Sequence, residues 1–463
     1  MNDTPTEHSG STPAGLLSPD ALHDAVTRGD ITTVMLAVPD MMGRLKGKRL
    51  NADAFIERLQ SGAEACAYIL ATDVDMSPVP GYDLTGWETG YGDLSVIPDL
   101  HSIRRLPYLP GTALIHADVA RASGELVGVA PRRMLQAQLE RLSGLGLDPR
   151  VGLESEFVLY QGVVQQASPA RYRRLRPVSP YNLDYSLDHP PALSDFFQHL
   201  QDALHGANTP VESVKTEGAP GQVEVTFPYG EALRACDSYT VYRHAVRSIA
   251  ARRGMAPSFM AAPETGVGSG LHLHLSLWSK GRNVFAARPE ETQLPEALNQ
   301  AVAGLISALP HMTPLYAPTP NSYKRYTPHS FAPTRYTWGH DNRSCAVRIT
   351  GHGEGQHVEV RLPGADANSY LALGATLAAI VHGLTDEPEL LPPCTGDAYQ
   401  ADRALPIPRD LDEAVADFDG SKTALTAFGN SVVRHYTHAA RVEIDEHRRR
   451  VTDVELQRGF DRA

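Results

Sequence analysis

The run Val151-Gly152-Leu153-Glu154-Ser155-Glu156-Phe157-Val158-Leu159 sets two carboxylates two residues apart inside an otherwise apolar, strand-like segment. In a strand, residues i and i+2 face the same way, so Glu154 and Glu156 point together to one side. Two anions held that close on a part-buried face repel, and burying them costs several kcal/mol unless a cation compensates. The expected compensation is a metal ion. Taken alone, an exposed sheet face with two glutamates explains the run equally well, and three further segments tip the balance.

In Glu217-Gly218-Ala219-Pro220-Gly221-Gln222-Val223-Glu224-Val225-Thr226, a Pro-Gly turn can return Glu217 and Glu224 to one place. In Gly268-Ser269-Gly270-Leu271-His272-Leu273-His274-Leu275-Ser276-Leu277, the leucines take one face and His272, His274 and Ser276 the other. The glycines before it suit close backbone approach. Two histidines and a serine on one face are best explained by a ligand. Zinc is the alternative to weigh, but no nearby cysteine supports it. In Gln356-His357-Val358-Glu359-Val360-Arg361-Leu362 the alternation recurs, with His357, Glu359 and Arg361 on one face. Together with Asn321-Ser322-Tyr323-Lys324-Arg325 and Asn342-Arg343-Ser344-Cys345-Ala346-Val347-Arg348, it reads as an anion-handling wall, since arginine's planar fork suits phosphate and carboxylate.

The chain's 463 residues suggest two domains. With 42 Lys and Arg against 54 Asp and Glu, a net charge of −12 and no extended basic stretch, a nucleic-acid partner is not expected. Four scattered cysteines without a Cys-x-x-Cys pair argue against a disulfide framework or zinc knuckle. Residues 1–15 read as a flexible polar tail with no signal-peptide pattern. The most apolar run, Leu371 to Val381, is too short to span a bilayer and reads as a core helix. The expected location is cytoplasmic, with no membrane partner.

Helices are expected from Ser18-Pro19 to Arg28, from Pro131 to Gly144, over Leu193–Gly206 and over Cys236–Arg253. Strands are expected over Ile31–Val38, Gly47–Leu50, Ala67–Leu70, Asp93–Ile97 and Ala113–Asp118. Thr72 to Gly92, rich in Pro and Gly, reads as a long functional loop. The division is a small domain over 16–108 and a large one over 109–463.

Five glutamates and a histidine on strands or strand edges form a ligand set for a pair of hard divalent cations holding ATP phosphates. These motifs resemble the type I glutamine synthetase family, and the resemblance runs from Gly43-Arg44-Leu45-Lys46-Gly47-Lys48 to Val451-Thr452-Asp453-Val454-Glu455. It implies an α+β fold: an N-terminal β-grasp domain and a catalytic domain with a curved antiparallel sheet flanked by helices. It further implies hexameric rings stacked as a dodecamer, with active sites between subunits. By position, Glu156, Glu217 and Glu224 would hold one Mg²⁺ or Mn²⁺ and Glu154, His272 and Glu359 another, in a site taking two to three ions. His274, Ser276, Arg348 and His357 would face the phosphates of the co-substrate ATP, with Tyr229 near the adenine. Arg343 would assist phosphoryl transfer, and Glu156, Gly268, Arg325 and Arg361 would hold glutamate. The implied chemistry is phosphorylation of the glutamate γ-carboxylate, then attack of nitrogen on γ-glutamyl phosphate.

Departures from the family pattern point to the nitrogen donor. Glutamine synthetases carry a flap glutamate in a Gly-Tyr-Glu-Ala-Pro-like motif that helps bind ammonium. Here Pro328-His329-Ser330-Phe331-Ala332-Pro333 puts Phe331 at that position. A phenyl ring cannot take a proton, but it suits an amine that carries carbon, through apolar contact and cation–π attraction of roughly 0.5–2 kcal/mol. The loop that helps bind ammonium reads Thr72-Asp73-Val74-Asp75-Met76, keeping an acid at Asp73 but no serines. Asp73 is the expected catalytic residue from this loop. Asp73 and Asp75, with Glu64 and Glu88, are candidates to hold a second amino group. The Trp338-Gly339-His340-Asp341-Asn342-Arg343 stretch is similar to the γ-glutamylputrescine synthetase branch. The loop resembles actinobacterial γ-glutamylpolyamine and γ-glutamylethanolamide synthetases. The expected activity is a γ-glutamyl-amine ligase acting on a polyamine such as putrescine or spermidine, or a monoamine such as ethanolamine. An ordinary ammonium-using glutamine synthetase and a catalytically silent assembly protein are the alternatives. Ala262, where relatives carry lysine, and His357, where an ATP-facing arginine is usual, depart further.

Overall fold

The computed structural model describes residues 15–173, 175–287 and 294–462. Of the expected tail, only Gly15 lies among them. The first helix, Pro19–Thr27, begins as its sequence dictates: Ser18 accepts a hydrogen bond from the Ala21 N–H, and proline takes the first turn. A six-stranded mixed sheet follows, built from β1 (Thr33–Pro39), β2 (Leu45–Asn51), β3 (Ala63–Cys66), β4 (Asp93–Pro98), β5 (Arg104–Arg105) and β6 (Thr112–Ala120). Its order is β2-β1-β6-β4-β3, with β5 also on β6, and β1 and β6 run parallel.

Two expectations are corrected here. Ala67–Leu70 is a 3₁₀ turn, and the strand is the preceding Ala63–Cys66. A short apolar run is compatible with either state, and here burial of Ile69 and Leu70 is met by the turn. Thr112–Ala120, assigned to the large domain by the 108/109 division, is the central strand of the first sheet, because its apolar residues pair with β1 and β4 at once.

The second sheet contains β7 (Asp148–Gln161), β8 (Ser213–Thr216), β9 (Gln222–Thr226), β10 (Gly230–Glu231), β11 (Met255–Ser258), β12 (Leu271–Ser279), β13 (Arg282–Asn283), β14 (Trp338–His340), β15 (Val347–Thr350) and β16 (His357–Val360). Its order is β14-β15-β16-β12-β7-β9-β8, antiparallel except for β14 with β15. One face is apolar: Leu153, Phe157, Val223, Val225, Leu271, Leu273, Leu275, Val358 and Val360 are all buried. Phe157 stacks on Phe259 with centroids 5.1 Å apart. Helices Pro131–Gly144 and Ala232–Arg252 cover this face, and Ser369–Asp386, carrying the most apolar run, packs between Pro131–Gly144 and Glu296–Ala308. Among the described residues no helix is long and apolar enough to cross a membrane.

A buried ionic hub ties the two sheets. Arg132 donates to both oxygens of Asp237 at 3.1 Å and to both of Asp118 at 2.9 Å, and also pairs with Asp99. Tyr370 donates to Asp237 at 2.6 Å. Asp99 and Asp118 come from the first sheet's segment, the others from three helices of the large domain. Asn368 adds a second tie, donating to the carbonyls of Asp40 and Met41 at 3.0 and 3.1 Å.

Candidate active site

Strand register assembles the site on the polar face of the second sheet. Glu224 lies opposite Glu156, Glu154 opposite His272, and His274 opposite Glu359, which in turn faces Arg348. Five strands thus lay one row of charge across the sheet. Because side chains alternate, the residues between them supply the apolar face below.

Placing Glu156 directly across from Glu224 sets two buried carboxylates against each other, an arrangement that needs positive charge. Burial, then repulsion from Glu154, pushes Glu224 well above the usual carboxylate range. Burial raises Glu156 too, with repulsion from Glu217 and Glu154 adding to it, even though its Oε2 accepts from Gln222 Nε2 at 2.9 Å and from the Gly270 N–H at 3.0 Å. Burial would also raise Glu154 and Glu359, but their neighbours outweigh it: the contacts with His272 and His274 hold Glu154 low, and Arg361, with His274 and His272 beside it, holds Glu359 at about 2.

His272 Nδ1 stands 2.7 Å from Glu154 Oε1 and 3.7 Å from Glu359 Oε1. His274 is part of a directed chain. His357 Nδ1 reaches the Gly355 carbonyl at 2.7 Å, His274 Nδ1 reaches His357 Nε2 at 3.1 Å, and His274 Nε2 reaches Glu154 Oε2 at 3.3 Å. The chain is satisfied when His357 is neutral and His274 carries both protons. The shifts agree: burial lowers His357, whereas for His274 the hydrogen bond to Glu154 and the nearby carboxylates outweigh burial and raise it.

Ligand atoms gather within 4.8 Å of one another in two groups, Glu154 with Glu156 and His272, and Glu154 with His274 and Glu359. Oxygen-rich donors with imidazole suit Mg²⁺ or Mn²⁺, and the opposed carboxylates supply the charge such ions balance. The grouping differs from the expected pairing. Glu154 is common to both groups, His274 joins them, and Glu217 meets Lys215, which in turn stands 3.2 Å from Glu224.

A cleft of about 530 Å³ opens beside the row. It is lined by the expected Tyr229, His274, Ser276, Arg348 and His357, and also by Trp278 and Glu212. Trp278 Nε1 donates to Ser276 Oγ at 2.9 Å, leaving the serine's own proton free to point into the cleft. Arg348 donates to Glu359 at 2.8 Å. Arg343, by contrast, lies exposed in the loop between β14 and β15 and makes no hydrogen bond or ion pair among the described residues.

On the other side of the row, Arg325 is buried, donating to the Leu362 carbonyl at 3.1 Å and standing 3.3 Å from His272 Nε2. A side chain on Gly270 would collide with both His272 and Arg325, at 2.6 and 2.7 Å, and one on Gly268 would press on Arg325 at 3.1 Å. The glycines therefore make room for that arginine. Arg361 pairs with Glu359 while its buried Nε has no partner, a donor suited to a substrate carboxylate. Phe331, on the flap after Arg325, is 67% exposed at φ +59°, and its carbonyl faces Arg361 Nη2 at 3.4 Å. Ala262 contributes no charge; its N–H and carbonyl both bond the side chain of Asn321.

Asp73 and Asp75 share neither hydrogen bond nor ion pair with the cluster among the described residues. Asp73 caps its own loop by accepting from the Ser77 N–H at 2.8 Å, and Asp75 pairs with Arg450 at 3.3 Å. Sequence reasoning passed over Lys215, Gln222 as a functional side chain, Glu212 and Trp278. Lys215 and Gln222 each stand two residues before a site glutamate, and Trp278 continues the His272, His274, Ser276 alternation, so the period-two signal reached all three.

Residues 128–459 match the family model described as glutamine synthetase, catalytic domain. The chain is 45% identical to a γ-glutamylethanolamide synthetase of Streptomyces coelicolor, covering 96% of each. It is 32% identical to a glutamate–isopropylamine ligase of a Pseudomonas species, over 95% of this chain and 97% of that one. A solved complex of GmaS with ADP superposes with a TM-score of 0.82 at 25% identity, covering 95% of this chain and 99% of that one.

Proposed function

This chain belongs to the glutamine synthetase family, and from that premise we propose that it joins the γ-carboxylate of glutamate to a small amine that carries carbon, converting ATP to ADP. The observation that carries the choice of amine over ammonium is Phe331: an exposed ring occupies the flap position where an acid would attract ammonium and accept its proton. Relatives named as a γ-glutamylethanolamide synthetase and a glutamate–isopropylamine ligase support a small primary monoamine in particular.

In this reading, ATP lies in the cleft against Tyr229, Trp278 and Ser276, with Arg348 and the His274 imidazolium toward its phosphates. Glu154, Glu156, Glu217, Glu224, His272 and Glu359 would hold two or three Mg²⁺ or Mn²⁺ ions, which when bound neutralise phosphate charge as the γ-phosphoryl group moves. Arg325 and the free Nε of Arg361 hold the glutamate carboxylates, so the γ-carboxylate oxygen can attack the γ-phosphorus of ATP and expel ADP. The amine nitrogen then attacks the carbonyl carbon of γ-glutamyl phosphate, phosphate leaves, and the nitrogen loses a proton. Because Phe331 cannot accept it, Asp73 of a neighbouring copy is the base assigned here. That assignment requires rings with sites between subunits. It is supported by the separation of Asp73 from the cluster of its own chain and by apolar residues left exposed, Trp87, Val451, Val454 and Phe460. We place the enzyme in the cytoplasm, where ATP and glutamate are supplied.

The test is ADP release by the purified protein with glutamate, ATP and Mg²⁺, comparing ammonium, ethanolamine, isopropylamine, putrescine and spermidine. Turnover with an amine well above ammonium is expected. Turnover with ammonium alone would overturn the amine reading, and none with any donor would return the chain to a silent assembly role.

A further inference from the structure

The turn between β1 and β2, residues 40–44, is built around one buried carboxylate. Asp40 is 1% exposed, and its Oδ1 accepts from the N–H groups of Met42 and Arg44 at 2.9 and 2.8 Å. Its Oδ2 meets Arg44 Nε at 2.8 Å and Lys46 Nζ at 3.5 Å. One carboxylate cannot use all the donors of two cations, so several remain for other acceptors. They go to the loop that carries Asp73. Arg44 Nη1 donates to the Val74 carbonyl at 2.6 Å and Nη2 to the Asp73 carbonyl at 3.4 Å, while Lys46 Nζ donates to Thr72 Oγ1 at 2.7 Å.

Within itself that loop is already closed. The Asp73 N–H donates to the Ser77 carbonyl at 3.0 Å, the Met76 N–H to the Asp73 carbonyl at 3.1 Å, and the Ser77 N–H to Asp73 Oδ1 at 2.8 Å. These bonds give the loop its shape and leave Asp73 Oδ2 without a partner among the described residues, but they do not place the loop in the molecule. At its tip Asp75 pairs with Arg450, yet both side chains are exposed, and water screens such a pair. Arg44 is the firmer anchor, because its side chain is only 19% exposed and the turn that carries it is held in its own right. Asn368 bonds the carbonyls of Asp40 and Met41, and Gly43 takes φ +70° where the turn lies against Asn368.

We propose that Arg44 is a positioning residue for the amine step: its guanidinium, oriented by Asp40, fixes the backbone of Asp73 and Val74 and so sets where the Asp73 carboxylate stands in the site it serves. The inference rests on the reading of Asp73 as the base that takes the proton of the amine. With Nε on a carboxylate oxygen and both Nη atoms on successive carbonyls, the planar fork fixes position and orientation together, which a single ammonium cannot do. Proton transfer needs the heavy atoms about 3 Å apart, and a displacement of about 1 Å costs on the order of 10² in rate. Phosphorylation of glutamate makes no use of Asp73 and is left intact. γ-Glutamyl phosphate that the amine does not capture has a second fate: the α-amino nitrogen of the same glutamate attacks the γ-carbonyl carbon, phosphate leaves, the nitrogen gives a proton to water and 5-oxoproline forms.

Amide formed per ADP released separates this role from a structural one. The full-length protein is assayed with glutamate, ATP, Mg²⁺ and whichever of the amines compared above turns over fastest. In Arg44→Met the amide yield per ADP should fall about fivefold or more, the balance appearing as 5-oxoproline, with the KM values for ATP and glutamate within about twofold of the wild type. Arg44→Lys, which can reach Asp40 or the carbonyls but not all of them at once, should give a yield between the two. Arg44→Gln serves as a second neutral variant if Arg44→Met does not fold by circular dichroism. An unchanged yield per ADP in the neutral variant, at whatever rate, overturns the role, because a general loss of structure slows both steps together. Asp73→Asn tests the reading beneath the proposal, and its yield should fall as well. A yield that falls in Asp73→Asn but not in Arg44→Met strikes Arg44 alone, and one unchanged in Asp73→Asn removes the base and the proposal with it.

Discussion

Phe331 shows what a single residue contributes beyond its family pattern. The ring is exposed and held at a positive φ that phenylalanine adopts only under local constraint, here the contact of its carbonyl with Arg361 and the packing of neighbouring His329 on Tyr399, centroids 5.1 Å apart. Truncation to alanine should remove apolar and cation–π attraction of roughly 0.5–2 kcal/mol, lowering kcat/KM for the amine by about 2- to 30-fold with the KM for ATP unmoved. Phe331→Glu should raise turnover with ammonium, read as phosphate release; no gain at all would count against the flap assignment. His357 makes a different contribution. By accepting from His274 it orients the imidazolium, so His357→Ala leaves a part-buried donor without its partner at about 1–3 kcal/mol. The expected result is a raised KM for ATP with the KM for glutamate little changed, and equal rises in both would remove the role given to the chain of histidines.

Between elements, the strand ladder and the ionic hub have separate tasks. The ladder needs no side-chain bond to align Glu154 with His272 or Glu156 with Glu224, because register follows from backbone pairing and the burial of one face. The hub holds the ladder's sheet to the first one. Arg132 is buried among three carboxylates, and burial, which would raise Asp237, is outweighed by the charge and hydrogen bonds of Arg132 together with the hydrogen bond from Tyr370, which keep it ionised. Arg132→Met leaves Asp237 buried and without its cation, so unfolding should become easier by about 3–5 kcal/mol, measured by urea denaturation. A loss under about 1 kcal/mol would mean that the hub is dispensable to the fold.

For the whole molecule, pH and metal act through groups far apart in the chain. Burial holds His116 and His435 at about 4, below the ordinary 6.5. A depressed folded value means that the unfolded chain takes up the proton first. The stability these residues contribute is therefore present above about 6.5 and lost as pH falls toward 4, on the order of 3 kcal/mol for each. The urea midpoint should drop across that window; a flat profile would contradict it. Metal acts in the opposite direction: at a free Mg²⁺ concentration of about 100 times Kd, binding to the folded state alone adds about 2.7 kcal/mol, so a chelator should lower the unfolding temperature. What the sequence by itself determined was periodic and local. Glu154 with Glu156, His272 with His274 and Ser276, and Glu359 with Arg361 share faces because strand side chains alternate, and the same period identified the buried leucines. The cap at Ser18 and the proline start of the helix at Pro131 were legible for the same reason, since both act within a single turn. Tertiary structure decided the long-range pairings, which no period encodes. It put Thr112–Ala120 in the first sheet, set Lys215 under Tyr185 and between Glu217 and Glu224, left Arg343 in solvent while Arg348 met Glu359, and turned Asp73 and Asp75 away from their own cluster. Each of these depends on which strands and loops become neighbours, and that follows from burying the whole apolar surface at once rather than from any one segment.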